Sequence, residues 1–363
     1  MAEPLQFWLQ TLGLSAQVSF APYNQLARQL LDRASLLATN TSGMNVLLLR
    51  LEDLTESSAS NARNATAETA ALIERNAGEL LVALQSAAAR HPIPWLVCLC
   101  PSSKAALTNP ALAGLCQRLE DRFQAELAAA GNVYLTTSAE LLQLYPTPGY
   151  DDPEANRLGH MPYAQAFYTT LGTMIARKYY ALKRPAKKVI ALDCDQTLWT
   201  GVCGEDGPAG VQLDAPRLAL QQFMIERMEA GMLLCLCSKN NEADVLEVFS
   251  RRPEMPLRLE HFAARRLNWR PKSENLRSLA QELRLGLDSF ILVDDNPVEC
   301  AEVEANCPEV LTIHLPEAPD ELPRFLPHLW VFDQLKVTAE DRQRTAMYQQ
   351  SRKIGRASCR ERV

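Results

Sequence analysis

The sequence has no long apolar run. Its richest stretches, Val46-Leu47-Leu48-Leu49 and Met232-Leu233-Leu234-Cys235-Leu236-Cys237, fall far short of the ~20 residues that cross a bilayer, so no membrane partner is expected. At the start Glu3 and Pro4 stand where a secretory signal needs basic residues before an apolar segment. An excess of positive charge is missing too. The 37 Lys and Arg face 43 Asp and Glu, a formal net charge of -6, which gives no electrostatic reason for a nucleic-acid partner. Among 10 cysteines there is no C-x-x-C pair, which argues against a zinc site of ordinary spacing. Cys98 and Cys100, like Cys235 and Cys237, lie at i, i+2 inside apolar runs, the pattern of buried strand residues. With no export signal, disulfides are not expected. Together these absences predict a cytoplasmic protein.

What is present is an ordinary globular composition, 47% hydrophobic and 22% charged over 363 residues. At ~150 residues per domain that length predicts about two domains. Strand-like runs cover Asn45 to Leu51, Trp95 to Cys100, Asn132 to Thr136, Lys188 to Leu192, Met232 to Cys237, Ser289 to Val293 and Glu309 to His314. Between them, helical apolar spacing marks Thr66 to Arg90, Pro110 to Ala130, Tyr163 to Leu182, Pro216 to Ala230 and Lys272 to Leu285. Strands that are apolar throughout, alternating with helices, belong to parallel sheets covered on both faces. The fold class is therefore α/β: two Rossmann-like three-layer α/β/α domains with mainly parallel sheets. The basic, Pro-containing stretch Arg184-Pro185-Ala186-Lys187-Lys188 sets the boundary, giving domains 1–184 and 185–335 and a helical or irregular tail at 336–363. Glu56 to Ala67 reads as a polar loop. Ile354 to Val363 has no amphipathic period and reads as foreign to the natural protein.

The chemistry concentrates at strand ends. Val189-Ile190-Ala191-Leu192 runs directly into Asp193-Cys194-Asp195-Gln196-Thr197, two carboxylates two residues apart. Ligands of open α/β sheets bind outside the carboxyl ends of the strands, and buried carboxylates need compensation that a hard cation supplies. The strand ending at Cys237 leads into Ser238-Lys239-Asn240, suited to phosphoryl oxygens, and the one ending at Val293 leads into Asp294-Asp295-Asn296. Between these lies Trp269-Arg270-Pro271-Lys272. There Pro presets a helix start, and a lysine sits in the first turn against the helix dipole. Such a lysine is ordinarily a solvated surface residue; its place between Ser238 and Asp294 gives it a function.

Asp-x-Asp-x-Thr, Ser, Lys and Asp-Asp in this order resemble the four motifs of the haloacid dehalogenase (HAD) superfamily of phosphotransferases. The segments Asp193 to Gly207, Cys235 to Asn241, Asn268 to Ser273, Val293 to Pro297 and Thr338 to Arg344 are similar to its FkbH-like subfamily, also called HAD family IIIC. That family usually has Asn where Gln196 stands. Phe20 to Tyr23 and Leu158 to Tyr163 resemble the SGNH-hydrolase-like amino-terminal region of longer members. The resemblance implies Asp193 as nucleophile and Asp195 as general acid/base. It implies Thr197, Ser238, Lys239, Asn240 and Lys272 around the phosphate, and Mg2+ held by Asp193, Asp195 (through its backbone carbonyl), Asp294 and Asp295. It further implies removal of phosphate from 1,3-bisphosphoglycerate and passage of the glyceryl group through an enzyme thioester to an acyl carrier protein, in polyketide or nonribosomal peptide synthesis. For the thioester Cys237, beside Ser238 and in reach of Lys272, is favoured over Cys203 and Cys194. A plain HAD phosphatase and a non-catalytic carrier-protein-binding scaffold are the alternatives. The amino-terminal domain has Ser19 without Gly-Asp flanks, and Asp152 and His160, so a non-catalytic role is expected there. Longer members continue further, so a truncated member is expected.

Overall fold

The structure, a computed structural model, describes residues 1–55 and 67–335. The polar segment 56–66 and everything from 336 onward, including the Thr338 to Arg344 motif and the 354–363 tail, lie outside the described residues. The chain divides into two compact units, Met1–Leu182 and Lys183–Val363.

The first unit is built on three parallel strands, β1 (Asn45–Arg50), β2 (Trp95–Cys100) and β3 (Val133–Thr136), in the order β1-β2-β3. Leu47, Leu49, Trp95, Val97, Leu99 and Val133 face one core shared with helices Ala67–Arg90 and Pro110–Leu127. On the other face Leu96 and Cys98 are equally buried. Strand alternation produces both sets. Helix Pro110–Leu127 starts as its sequence dictates: Asn109 accepts hydrogen bonds from Ala111 N and Leu112 N, and Pro110 takes the first helical position.

The second unit holds β4 (Val189–Leu192), β5 (Leu233–Ser238), β6 (Phe262–Leu267), β7 (Phe290–Asp294) and β8 (Leu311–His314), all parallel, in the order β6-β5-β4-β7-β8. Ile190, Leu192, Leu234, Leu236, Ile291 and Val293 pack with Leu220, Met224, Val245 and Val248 on one face. Val189, Ala191, Leu233, Cys235, Cys237, Phe290 and Leu292 pack with Leu276, Leu279 and Val303 on the other. Helices thus cover both faces, and the α/β/α expectation holds. Strand β6 was not expected from the sequence. Among the described residues no helix is long and apolar enough to cross a membrane.

In the first unit Asp152 and His160 form no dyad. Asp152 caps helix Pro153–Gly159 by accepting from Ala155 N, and His160 ends that helix in the left-handed conformation, stacked on Tyr23. A seven-residue helix separates the two, and Ser19 is exposed on an irregular segment.

Candidate active site

The central strands β4 and β7 pair in register, and the ladder runs one residue past β4, where Asp193 N donates to Val293 O at 3.1 Å. That fixes Asp193 beside Asp294. Lys272, the first residue of helix Lys272–Leu283, reaches both: its Nζ donates to Asp193 Oδ1 at 2.7 Å and to Asp294 Oδ2. All three side chains are nearly or fully buried. Asp193, Asp294 and Asp295 each offer a carboxylate oxygen, all within 4.8 Å of one another.

The charges do not cancel. Burial pushes Asp193 up to about 7, Lys272 opposes this, and neighbouring Asp294 adds to it. Lys272 is pulled down by burial, but the two carboxylates overcome that and hold it above the usual lysine range. Burial also raises Asp295. The buried Asp193 and Asp294 and the half-buried Asp295, set against one ammonium, form an all-oxygen donor set that suits a hard divalent cation.

The second motif carboxylate is held differently. Asp195 Oδ1 accepts from Trp199 Nε1 at 2.8 Å and from Cys203 N at 3.0 Å, and its Oδ2 accepts from Asn240 Nδ2 at 3.0 Å. Asn240 also donates to Ser238 Oγ at 3.0 Å. Asn240 therefore ties the Asp195 carboxylate to the Ser238 hydroxyl. The turn that follows Asp195 is strained and clamped. Gln196 adopts φ 56, a left-handed conformation that favours Asn over Gln. Arg217 donates to the Gln196 carbonyl at 3.1 and 2.9 Å while paired with Asp214. Beyond the turn, Gly201 (φ +104) leaves room for Asp206, which a Cβ there would meet at 2.6 Å.

Several expected residues have partners that the sequence did not suggest. Thr197 donates to Asp295 Oδ1 at 2.9 Å and so anchors that acidic group. Lys239 pairs with Glu299 at 2.7 Å. Alternation along β5 puts Ser238 and Cys237 on opposite faces, and Cys237 lies in the core with Val189, Ala191 and Leu276. Burial pushes its thiol far up, overriding Lys272, so the lysine does not make it a ready thiolate. Cys194 is likewise raised by burial and by Asp193. Cys203 is also raised, to about 12, by burial and Asp195, but its Sγ lies 3.5 Å from Asn240 Oδ1, at the site itself.

Sequence reasoning missed Trp199, Asn240 as a bridge, the Arg217–Asp214 clamp, and Glu302, which accepts from Ser273 N at 3.1 Å and from Ser273 Oγ at 2.5 Å. Trp199 stands four residues after Asp195 within the first motif, the one local signal available. Trp269 is 69% exposed, and its Nε1 donates to Asn241 Oδ1 at 3.2 Å.

Two units of parallel strands wrapped by helices, one carrying buried carboxylates and a lysine at its carboxyl edge, define an α/β/α protein with a cation-ready centre. No family model and no curated protein matches the chain. Among solved structures it is similar to the N-terminal part of the protein BF1531 from Bacteroides fragilis, described as containing a phosphatase domain and complexed with Mg. The TM-score is 0.76 at 21% identity, covering 92% of this chain and 91% of that chain. At that identity the likeness establishes the shared fold.

Proposed function

We propose that the second unit is a magnesium-dependent phosphatase of HAD type. The observation that carries this reading is the convergence of Asp193, Asp294, Asp295 and Lys272 at the adjoining ends of β4 and β7. The phosphatase and the Mg ion in the description of the Bacteroides protein add support. Asp193, Asp294 and Asp295, with the Asp195 backbone carbonyl, would hold Mg2+, whose chemistry is to draw charge from phosphoryl oxygens.

The chain's own residues divide the remaining work. Lys272 holds Asp193 by one oxygen, leaving the other to attack phosphorus as the bond to the leaving group breaks; Lys272 and Ser238 bind the phosphoryl oxygens. Asp195, oriented by Trp199, Cys203 N–H and Asn240, gives a proton to the leaving oxygen. It then takes one from the water that attacks the aspartyl phosphate, which frees inorganic phosphate and regenerates Asp193. Chelation should silence phosphate release and added Mg2+ restore it; full activity in chelator would remove the metal from the reading.

The finer proposal is the FkbH-like one: 1,3-bisphosphoglycerate as substrate and an acyl carrier protein as acceptor. Cys203 is the thiol favoured for the thioester, because it lies against Asn240 and its backbone N–H bonds Asp195; its sulfur would attack the acyl carbon of the acyl phosphate, the acyl C–O bond would break with phosphate leaving, and Asp195 would take the thiol proton. The test is incubation with 1,3-bisphosphoglycerate and a carrier protein, followed by intact mass of both proteins and phosphate assay. A glyceryl adduct supports transfer. Phosphate without adduct leaves the plain phosphatase, and neither product favours a scaffold. An SGNH-like, non-catalytic role for the first unit accords with its separated Asp152 and His160.

A further inference from the structure

Helix Lys272–Leu283 begins badly on its own. Pro271 stands at its cap position and offers no side-chain hydrogen bond, while the buried Lys272 puts a positive charge where the helix dipole is already positive. The missing cap arrives from another element. Glu302, on helix Pro297–Asn306, accepts from Ser273 N at 3.1 Å through Oε2 and from Ser273 Oγ at 2.5 Å through Oε1. Oε1 also accepts from Asn306 Nδ2 at 3.2 Å, so the carboxylate is fixed on both sides. Helix Pro297–Asn306 begins two residues after Asp295. The helix that follows the acidic pair therefore caps the helix that carries the lysine.

We propose that Glu302 is a positioning residue for Lys272: it sets the height of the ammonium over Asp193 and Asp294 and offsets its conflict with the helix dipole. A second stake lies on the other side of the lysine, where Asn268 and Asn275 exchange amide hydrogen bonds at 3.2 and 3.1 Å. That pair holds the incoming loop but brings no charge. Glu274 also lies in the first turn, on its exposed side; what Glu302 adds is the pair of hydrogen bonds that fixes Ser273 and with it the neighbouring lysine. The inference rests on the phosphoryl reading of the site.

The test titrates inorganic phosphate into the Mg2+-loaded protein by calorimetry, and Mg2+ alone into the metal-free protein. Lys272→Ala is the reference and should weaken phosphate binding by tenfold or more, on the order of losses seen when charged ligand contacts are removed. Glu302→Ala should weaken it about tenfold, the scale of outer-shell losses, with Mg2+ affinity not reduced. Glu302→Gln can still satisfy both Ser273 groups and should recover to within about threefold of wild type. If Glu302→Ala does not fold, Ser273→Ala makes the same comparison by removing the hydroxyl half of the cap. Wild-type phosphate binding in Glu302→Ala (or its substitute) beside a weakened Lys272→Ala would overturn the role of Glu302 alone. Equal loss of phosphate and Mg2+ binding would also overturn it, as general loosening. Unchanged binding in Lys272→Ala would instead bring down the phosphoryl reading beneath it.

Discussion

Both units end a parallel sheet in charged side chains, yet the two edges are built to opposite ends. In the first, Arg50 at the end of β1 forks onto Asp53 with two bonds of 2.7 Å and lies 3.5 Å from Glu52, which also accepts from Ser103 N at 3.1 Å. Tyr150 and Tyr163 pin the next loop by donating to Ser102 O and Pro101 O at 2.7 Å. Asp53 keeps about half its side chain in water (52%). Burial raises Glu52, but Arg50, set between the two carboxylates, opposes that rise. In the second unit Asp193 and Asp294 are shut away with one lysine between them. Charged residues at a sheet edge do not make a reaction centre; charges the protein cannot satisfy by itself do.

The comparison breaks most visibly at Asp193. Asp193→Asn should abolish phosphate release, a loss of ~10³-fold or more for a nucleophile, with the fold intact. Retention of a tenth of the turnover would remove Asp193 from that role. The same variant exposes the trapped charge through pH. Native Asp193 holds its proton up to about 7, whereas an unfolded Asp releases it near ~3.9. The metal-free native state thus binds more protons across that window, so its stability should fall as pH rises from about 4 to 7. Denaturant titrations should show this slope in wild type and not in Asp193→Asn; equal slopes would mean that Asp193 ionises normally.

The first edge should respond in stability instead. Arg50→Met leaves Glu52 buried without its cation, and should cost about 3 kcal/mol by the measure of broken buried pairs. Phosphate release at temperatures below unfolding should stay within about twofold of wild type. A folded Arg50→Met protein with lost turnover would erase the distinction between the edges. The smallest effect belongs to Gln196→Asn, which suits φ 56 better and should gain on the order of 0.5 kcal/mol. A loss of stability would show that the Gln side chain makes a contribution of its own.

Seven of the eight strands among the described residues were legible because they are apolar runs bounded by polar turns. The exception, Phe262-Ala263-Ala264-Arg265-Arg266-Leu267, is an edge strand paired with β5 alone. Its outer positions carry arginines paired with Glu242 and Glu282, which breaks the apolar pattern. The acidic strand ends were legible for the same reason as the strands: topology places them. Side-chain partners were not. That Thr197 would hold Asp295, that Lys239 would turn to Glu299, and that Cys237 would face away from Ser238 depend on contacts between residues distant in sequence or on the parity of one strand. Glu302 could not be found without the helix–helix contact.

Trp269 gives the second unit a built-in optical reporter. Trp95 and Trp199 are sealed in their cores, out of reach of a soluble quencher. Trp269 stands in water three residues before Lys272, and its indole N–H is tied to the neighbour of Asn240. Iodide or acrylamide should therefore quench Trp269 strongly while sparing Trp95 and Trp199. Ligand-dependent protection from quenching, lost in a Trp269→Phe protein, would follow events at the rim of the site in real time and without a label.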